Sequence, residues 1–140
     1  PPQQLRRASE LAIVLVVALI LVTSLSPGGS FAADPIPQST LEGSAIDINV
    51  LRAIGHATLY ALLGLAAAAR FAVSTFARRS PYRALAMLIM AIWLLAGGSE
   101  AMQMNVPGRA PELSDWLFDM GGAIFGLAAA GPAIRWMTRT

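Results

Sequence analysis

Charged and amide side chains gather in one short part of an otherwise apolar chain. The segment 99–122 reads SEAMQMNVPGRAPELSDWLFDMGG and contains Glu100, Gln103, Arg109, Asp115 and Asp119. Carboxylates of this kind can hold a divalent cation or activate a water molecule. An arginine guanidinium binds carboxylate or phosphate through two parallel hydrogen bonds. The segment is therefore the first candidate for a functional site.

Helical spacing places these side chains on shared faces. Glu100 and Gln103 are three residues apart, and Asp115 and Asp119 are four apart, so each pair occupies one side of its helix. The face of Asp119 continues to Gly122 and Gly126, and small residues at this spacing let a neighbouring helix approach closely. We therefore expect Asp119 to face another helix rather than lipid.

A second set of polar residues lies earlier in the chain, in the sequence GHATLY at residues 55–60. His56 is followed by Tyr60 and Gly64, one and two helical turns further along the same face. We expect His56 to start a helix and to meet the carboxylates of segment 99–122. The histidine could bond to a carboxylate, ligate a metal or act as a general base.

The roles of the carboxylates also remain open at this point. Asp119 and its neighbours could pair with Arg109, surround a metal or water, or help Arg109 bind an anionic headgroup. The chain has one histidine and no cysteine. We therefore predict no metal site and no cofactor, and we assign no catalytic residue.

The composition favours a membrane protein. Apolar residues make up 56% of the 140-residue chain and charged residues 13%, whereas a soluble domain has about 25% charged residues. The net charge of +2 comes from dispersed arginines. Because no basic stripe with interleaved aromatic residues is present, we predict no nucleic-acid partner. A single domain, 1–140, fits this length.

Four apolar stretches approach the roughly 20 residues needed to cross a bilayer as a helix. We predict an all-α bundle of four transmembrane helices at about 8–26, 54–76, 83–99 and 115–137, with an outer loop at 27–53. The first stretch also resembles a secretory signal, since SFAAD follows an apolar run. We expect it to be a retained helix.

Arginine placement predicts the orientation. In the four-helix arrangement, eight of the ten basic residues lie on one side, at the termini and in the loop after the second helix. The positive-inside rule then makes both termini cytoplasmic and places segment 99–122 on the outer side. The arginine-rich loop serves as the orientation signal, or alternatively contacts anionic lipid.

These motifs resemble the VanZ-like family of small bacterial membrane proteins. The family pattern runs from Glu and Gln through a Pro-x-Arg element to Asp and two glycines, with an upstream His followed by Tyr. The matching residues are His56, Tyr60, Glu100, Gln103, Pro107, Arg109, Asp115, Gly122 and Gly126. The chain departs from the family at Asp119, where Asn is usual, and at Arg52 and Ala53, where Asp-Lys is frequent.

The resemblance implies a four-helix protein of the bacterial inner membrane. The founding member of the family is linked to resistance to the glycopeptide teicoplanin. This chain would then use its periplasmic-side polar residues to bind, or help process, an envelope lipid or cell-wall precursor. A different hypothesis is a small accessory subunit of a larger photosynthetic or respiratory membrane complex, in which the same residues only hold the bundle together.

Overall fold

The computed structural model describes residues 2–25, 48–106 and 113–137. These residues form helices and short connections and contain no strand. The five helices are α1 (Pro2–Leu25), α2 (Ile48–Ala72), α3 (Thr75–Arg79), α4 (Pro81–Gln103) and α5 (Leu113–Met137). The all-helical architecture predicted from the sequence is confirmed. The predicted residues Pro107 and Arg109, and most of the predicted outer loop, lie outside the described residues.

Helices α1, α2 and α4 are long and apolar enough to cross a membrane, with candidate spans of 23 residues each. Helix α5 is equally long at 25 residues, about 37 Å at 1.5 Å per residue, although Asp115 and Asp119 make its beginning more polar. Large apolar side chains such as Leu15 and Met87 remain more than 60% exposed on the outer faces of α1 and α4. These surfaces suit contact with lipid.

Helix α1 contacts the other helices along one face. Ser9, Ile20 and Ser24 on this face are buried, and Ile13 and Val17 between them pack partly against the core. Their spacing of three or four residues follows the helical repeat. Helix α1 packs against α2 and α4, whereas α2 packs most extensively against α5.

Helix α2 begins earlier than the sequence predicts. It starts at Ile48 instead of near Ile54, so His56 lies two turns inside the helix and not at its first turn. The sequence prediction extended the loop too far because residues 26–47 are rich in proline and glycine. The stretch INVLRA, residues 48–53, contains neither residue and continues the helix.

The connection between α2 and α4 contains a short helix of its own. Helix α2 ends at Ala72, before the predicted limit of 76. The Ser74 side chain then accepts a hydrogen bond from the Ala77 backbone N–H at 3.3 Å and caps α3. Pro81 occupies the first turn of α4, where the lack of an N–H costs no helical hydrogen bond.

Helix α4 continues through two glycines to Gln103 instead of ending near Ser99. A Cβ added at Gly97 or Gly98 would have no atom of another helix within 4 Å, so these glycines do not mark a close helix crossing. As a result, Glu100 and Gln103 lie in the last turn of α4 and are buried. They are held by regular helix and not by a loop.

The main helix pair consists of α2 and α5 in parallel orientation. Gly122 faces Ala57, and one turn further along both chains Gly126 faces Ala61. Because both residue numbers increase together, the two helices run in the same direction. Tyr60, Leu63 and Ala123 form the centre of the core, together with Ile92 and Ala96 of α4.

Candidate functional site

Three helices contribute buried polar side chains to one region of the bundle. We define the polar cluster as His56, Tyr60, Ser99, Glu100, Gln103 and Asp119. Every member is less than 9% exposed, and Tyr60 and Asp119 are fully buried. Helix α2 supplies the first two residues, α4 the next three and α5 the last. Five of the six were predicted from the sequence to converge.

Within the polar cluster, the closest approach between oppositely chargeable groups joins α2 to α5. His56 Nδ1 lies 3.7 Å from Asp119 Oδ1. This distance is too long for a direct hydrogen bond but within reach of an electrostatic interaction. Nδ1 and both carboxylate oxygens are sealed from solvent and have no hydrogen-bond partner among the described residues. The pair is thus two polar groups facing each other inside a helix interface.

A hydrogen-bonded chain connects α2 to α4. The Tyr60 and Ser99 hydroxyl oxygens are 3.2 Å apart, and Ser99 also donates to the backbone carbonyl of Ala96 at 2.8 Å. Because a serine hydroxyl has one proton, this second bond makes Tyr60 the donor to Ser99. Tyr60 therefore has a fixed hydroxyl orientation, and α2 and α4 are held together at this level.

The end of α4 adds a carboxylate and an amide. Gln103 Nε2 donates to Glu100 Oε1 at 3.3 Å, as their three-residue spacing predicts. The polar cluster therefore combines two carboxylates, one imidazole and one phenol, which are groups able to accept, donate and hold protons.

Glycines bring the two helices of the His56–Asp119 pair close together. A Cβ at Gly122 would lie 3.0 Å from Ala57 Cα, and a Cβ at Gly126 would lie 3.0 Å from Ala61 Cα. In both cases it would also overlap the carbonyl oxygen of that alanine. Gly64 of α2 makes the reciprocal contact with the Ala123 backbone. The three predicted packing glycines thus lie where backbones touch.

The structure does not place every predicted residue inside the cluster. Asp115 is in the first turn of α5, is partly exposed and takes part in no ion pair within the described residues. The proposed partner, Arg109, lies outside those residues, so its pairing with Asp119 stays a prediction. The neighbour of Asp119 in the described part is His56.

The described residues contain no group of three or more His, Cys, Asp and Glu side chains arranged to hold a metal ion. His56 and Asp119 supply only two potential ligands at their shared position.

Two polar contacts were missed from the sequence. Ser99 is the α4 partner of Tyr60, and nothing in its local spacing identifies it. At the opposite end of the bundle, Glu10 Oε1 accepts hydrogen bonds from Arg6 Nε and Arg70 Nε, each at 3.0 Å. The four-residue spacing of Arg6 and Glu10 could have predicted their contact, but no sequence pattern predicts the contact of Glu10 with Arg70 of α2.

The comparisons with known proteins add no identification. No family model, curated protein or solved structure matches the chain.

Proposed function

We propose that the chain is a VanZ-like integral protein of the bacterial inner membrane whose polar cluster binds, or helps process, an envelope lipid or cell-wall precursor. The supporting observation is the buried Asp119 carboxylate, which has no hydrogen-bond partner among the described residues and faces His56. A charged side chain within a membrane-spanning helix costs about 3 kcal/mol at the bilayer centre. Such residues are rare and usually mark a functional site.

The geometry gives the two residues different roles. His56 directs its sealed Nδ1 at Asp119, so Nε2 is the ring nitrogen through which the imidazole would contact a ligand. Asp119 would orient the imidazole ring, as a carboxylate does in a catalytic Asp–His pair. A protonated Nε2 could donate a hydrogen bond to a phosphate oxygen, and an unprotonated Nε2 could accept a proton from a ligand hydroxyl.

We place the polar cluster on the periplasmic side and both chain termini in the cytoplasm. Helix α5 is long enough to be the fourth crossing and runs parallel to α2. Arg6, Arg70 and Arg83 belong to the end of the bundle opposite the cluster, since they lie in the first turns of α1, the last of α2 and the first of α4. The positive-inside rule assigns that end to the cytoplasm.

Cysteine labelling tests this orientation without background, because the chain contains no cysteine. Asn105 follows the last residue of α4, and Thr75 is the first residue of α3 near the opposite end of the bundle. Both side chains are exposed. We expect Asn105→Cys to react with a membrane-impermeant maleimide in intact spheroplasts and Thr75→Cys to react only after lysis. The reverse labelling pattern would contradict the proposed orientation.

The function is tested with variants that keep the size of the side chain. We expect His56→Gln and Asp119→Asn to abolish any protection that the protein gives against teicoplanin and to lower photolabelling by a polyprenyl-linked precursor probe at least tenfold. Asp115→Asn, one turn away and partly exposed, is the matched control and should behave like the unaltered protein. Correct membrane insertion and thermal stability of each variant are measured in parallel.

A difference in labelling or protection between Asp119→Asn and Asp115→Asn supports the proposal only if both variants are folded. Equal labelling and equal protection in all three variants would refute a role for the polar cluster. Loss of folded protein in Asp119→Asn alone would instead assign Asp119 to the stability of the bundle.

A second candidate is an accessory subunit of a larger membrane complex. It is favoured by the exposed face of α4, where Met87, Met90 and Leu94 are each more than 55% exposed and share one side of the helix. Methionine-rich surfaces adapt readily to a protein partner. Stoichiometric co-purification with one large complex in mild detergent would support this candidate, and a chain recovered only with lipid would refute it.

A further inference from the structure

An apolar groove opens between three helices at the end of the bundle away from the polar cluster. It is lined by Ala68, Phe71, Ala72, Leu85, Leu88 and Leu127. Its volume is about 220 Å³. Ala68 follows His56 by twelve residues on α2, which is about 18 Å along the helix axis. The groove is therefore separate from the proposed functional site.

The lining excludes a polar small molecule as the occupant. Ligand pockets usually hold about 300–1,000 Å³ and contain several placed polar groups, whereas all six side chains here are hydrocarbon. Water is also a poor occupant, because apolar cavities remain dry. The shape and chemistry fit a segment of an extended hydrocarbon chain.

The end of the bundle that carries the groove is strongly basic. Arg78, Arg79 and Arg83 are exposed and take part in no ion pair within the described residues. Arg83 precedes the groove residue Leu85 by two positions, about 3 Å along α4. Arg70 differs from these three because Glu10 pairs with it at 3.0 Å. Exposed positive charge thus lies at the same end of the bundle as the apolar groove.

We propose that the groove holds one acyl chain of an anionic phospholipid whose phosphate contacts Arg79 and Arg83. The two parts of the site match the two parts of such a lipid. The helices supply the apolar surface, and the two exposed guanidinium groups supply bidentate donors for phosphate oxygens. Basic residues near a membrane surface attract anionic lipid, so the arginines select the headgroup while the groove retains the chain.

Native mass spectrometry of the full chain tests both parts. The protein is purified in mild detergent and titrated with phosphatidylglycerol or phosphatidylcholine of identical acyl chains. We expect one retained lipid and at least a fivefold preference for phosphatidylglycerol. The double variant Arg79→Gln/Arg83→Gln should lose the preference and keep binding, whereas Arg7→Gln, an exposed arginine of α1, should change neither.

A bulky residue tests the groove itself. Ala72→Phe fills the groove from the last turn of α2, and Ala69→Phe places the same side chain on a neighbouring residue outside the groove lining. We expect Ala72→Phe to lower the retained amount of both lipids at least tenfold and Ala69→Phe to leave it unchanged. Equal retention in the two variants would overturn the proposal.

A photoreactive group on the acyl chain of phosphatidylglycerol provides a test that needs no substitution. We expect crosslinks in peptides that contain Phe71 and Leu88 of the unaltered protein. Crosslinks distributed evenly over α1 and α4 would overturn the proposal, as would retention without a headgroup preference. A stable dimer whose interface buries the groove would also overturn it, since a second copy would then be the occupant.

Discussion

The contact between α2 and α5 at Gly126 supports a quantitative prediction. A Cβ added there would lie 2.8 Å from the Ala61 carbonyl carbon and 3.0 Å from Ala61 Cα. Carbon atoms pack favourably at about 3.5–4.0 Å, so the helices must separate by roughly 0.5–1 Å. The obstacle is backbone, which cannot move aside by rotating a side chain.

Gly121 provides the matched control on the same helix. A Cβ added there would have no neighbouring atom within 4 Å, so Gly121→Ala adds a methyl group without a clash and gains about 0.5–1 kcal/mol of helix propensity. Gly126→Ala gains the same helix-propensity contribution but loses about 1–3 kcal/mol through overpacking against the Ala61 backbone. We therefore expect Gly126→Ala to be less stable than Gly121→Ala by about 1–3 kcal/mol.

The assay is reversible unfolding of both variants in mixed detergent micelles, followed by helix content. In Gly126→Ala, the separation of α2 from α5 should also lengthen the distance between His56 and Asp119, because Asp119 lies two turns before Gly126 on the same face of α5. Equal free energies of unfolding for the two alanine variants would refute the close backbone contact. A destabilised Gly121→Ala would show that the cost is not specific to the helix interface.

Two further substitutions test polar contacts at opposite ends of the bundle. We expect Tyr60→Phe to lower the free energy of unfolding by about 0.5–1.5 kcal/mol, because it removes the hydrogen bond to Ser99. The control Tyr82→Phe, at a side chain that is 86% exposed, should have no effect. Equal stability of the two variants would contradict the hydrogen bond between Tyr60 and Ser99. We expect Glu10→Gln to lower the thermal stability slightly at low salt and not at high salt, because the carboxylate pairs with Arg6 and Arg70 at the surface. A loss of the same size at both salt concentrations would show that the ion pairs do not account for the effect.

Features that depend on one helix were readable from the sequence. Apolar length predicted the main helices, and the spacing of Asp119, Gly122 and Gly126 predicted a face turned toward another helix. The structure places these residues against α2, with Asp119 fully buried. Helix ends were predicted less well, because residues 48–53 were assigned to the outer loop and the third predicted helix was ended at residue 99 instead of Gln103.

The sequence predicted that His56 meets the carboxylates of segment 99–122, but it did not identify most of the individual contacts between two helices. Tyr60 and Ser99 are 39 residues apart, and no local pattern sets the rotation of α2 against α4. The same is true of Glu10 and Arg70, which are 60 residues apart. Charge complementarity suggested Arg109 as the partner of Asp119, but the described neighbour is the imidazole of His56, whose approach depends on the glycine contacts of the parallel helix pair.

The account depends most directly on the interaction of His56 with Asp119. His56 is the single histidine of the chain, so ¹⁵N-histidine labelling gives an unambiguous nuclear magnetic resonance signal from its imidazole. We predict that Asp119→Asn shifts both ring-nitrogen resonances, whereas Asp115→Asn, at a partly exposed residue one turn away, leaves them unchanged. Imidazole signals that are identical in the unaltered protein and in Asp119→Asn would contradict the account.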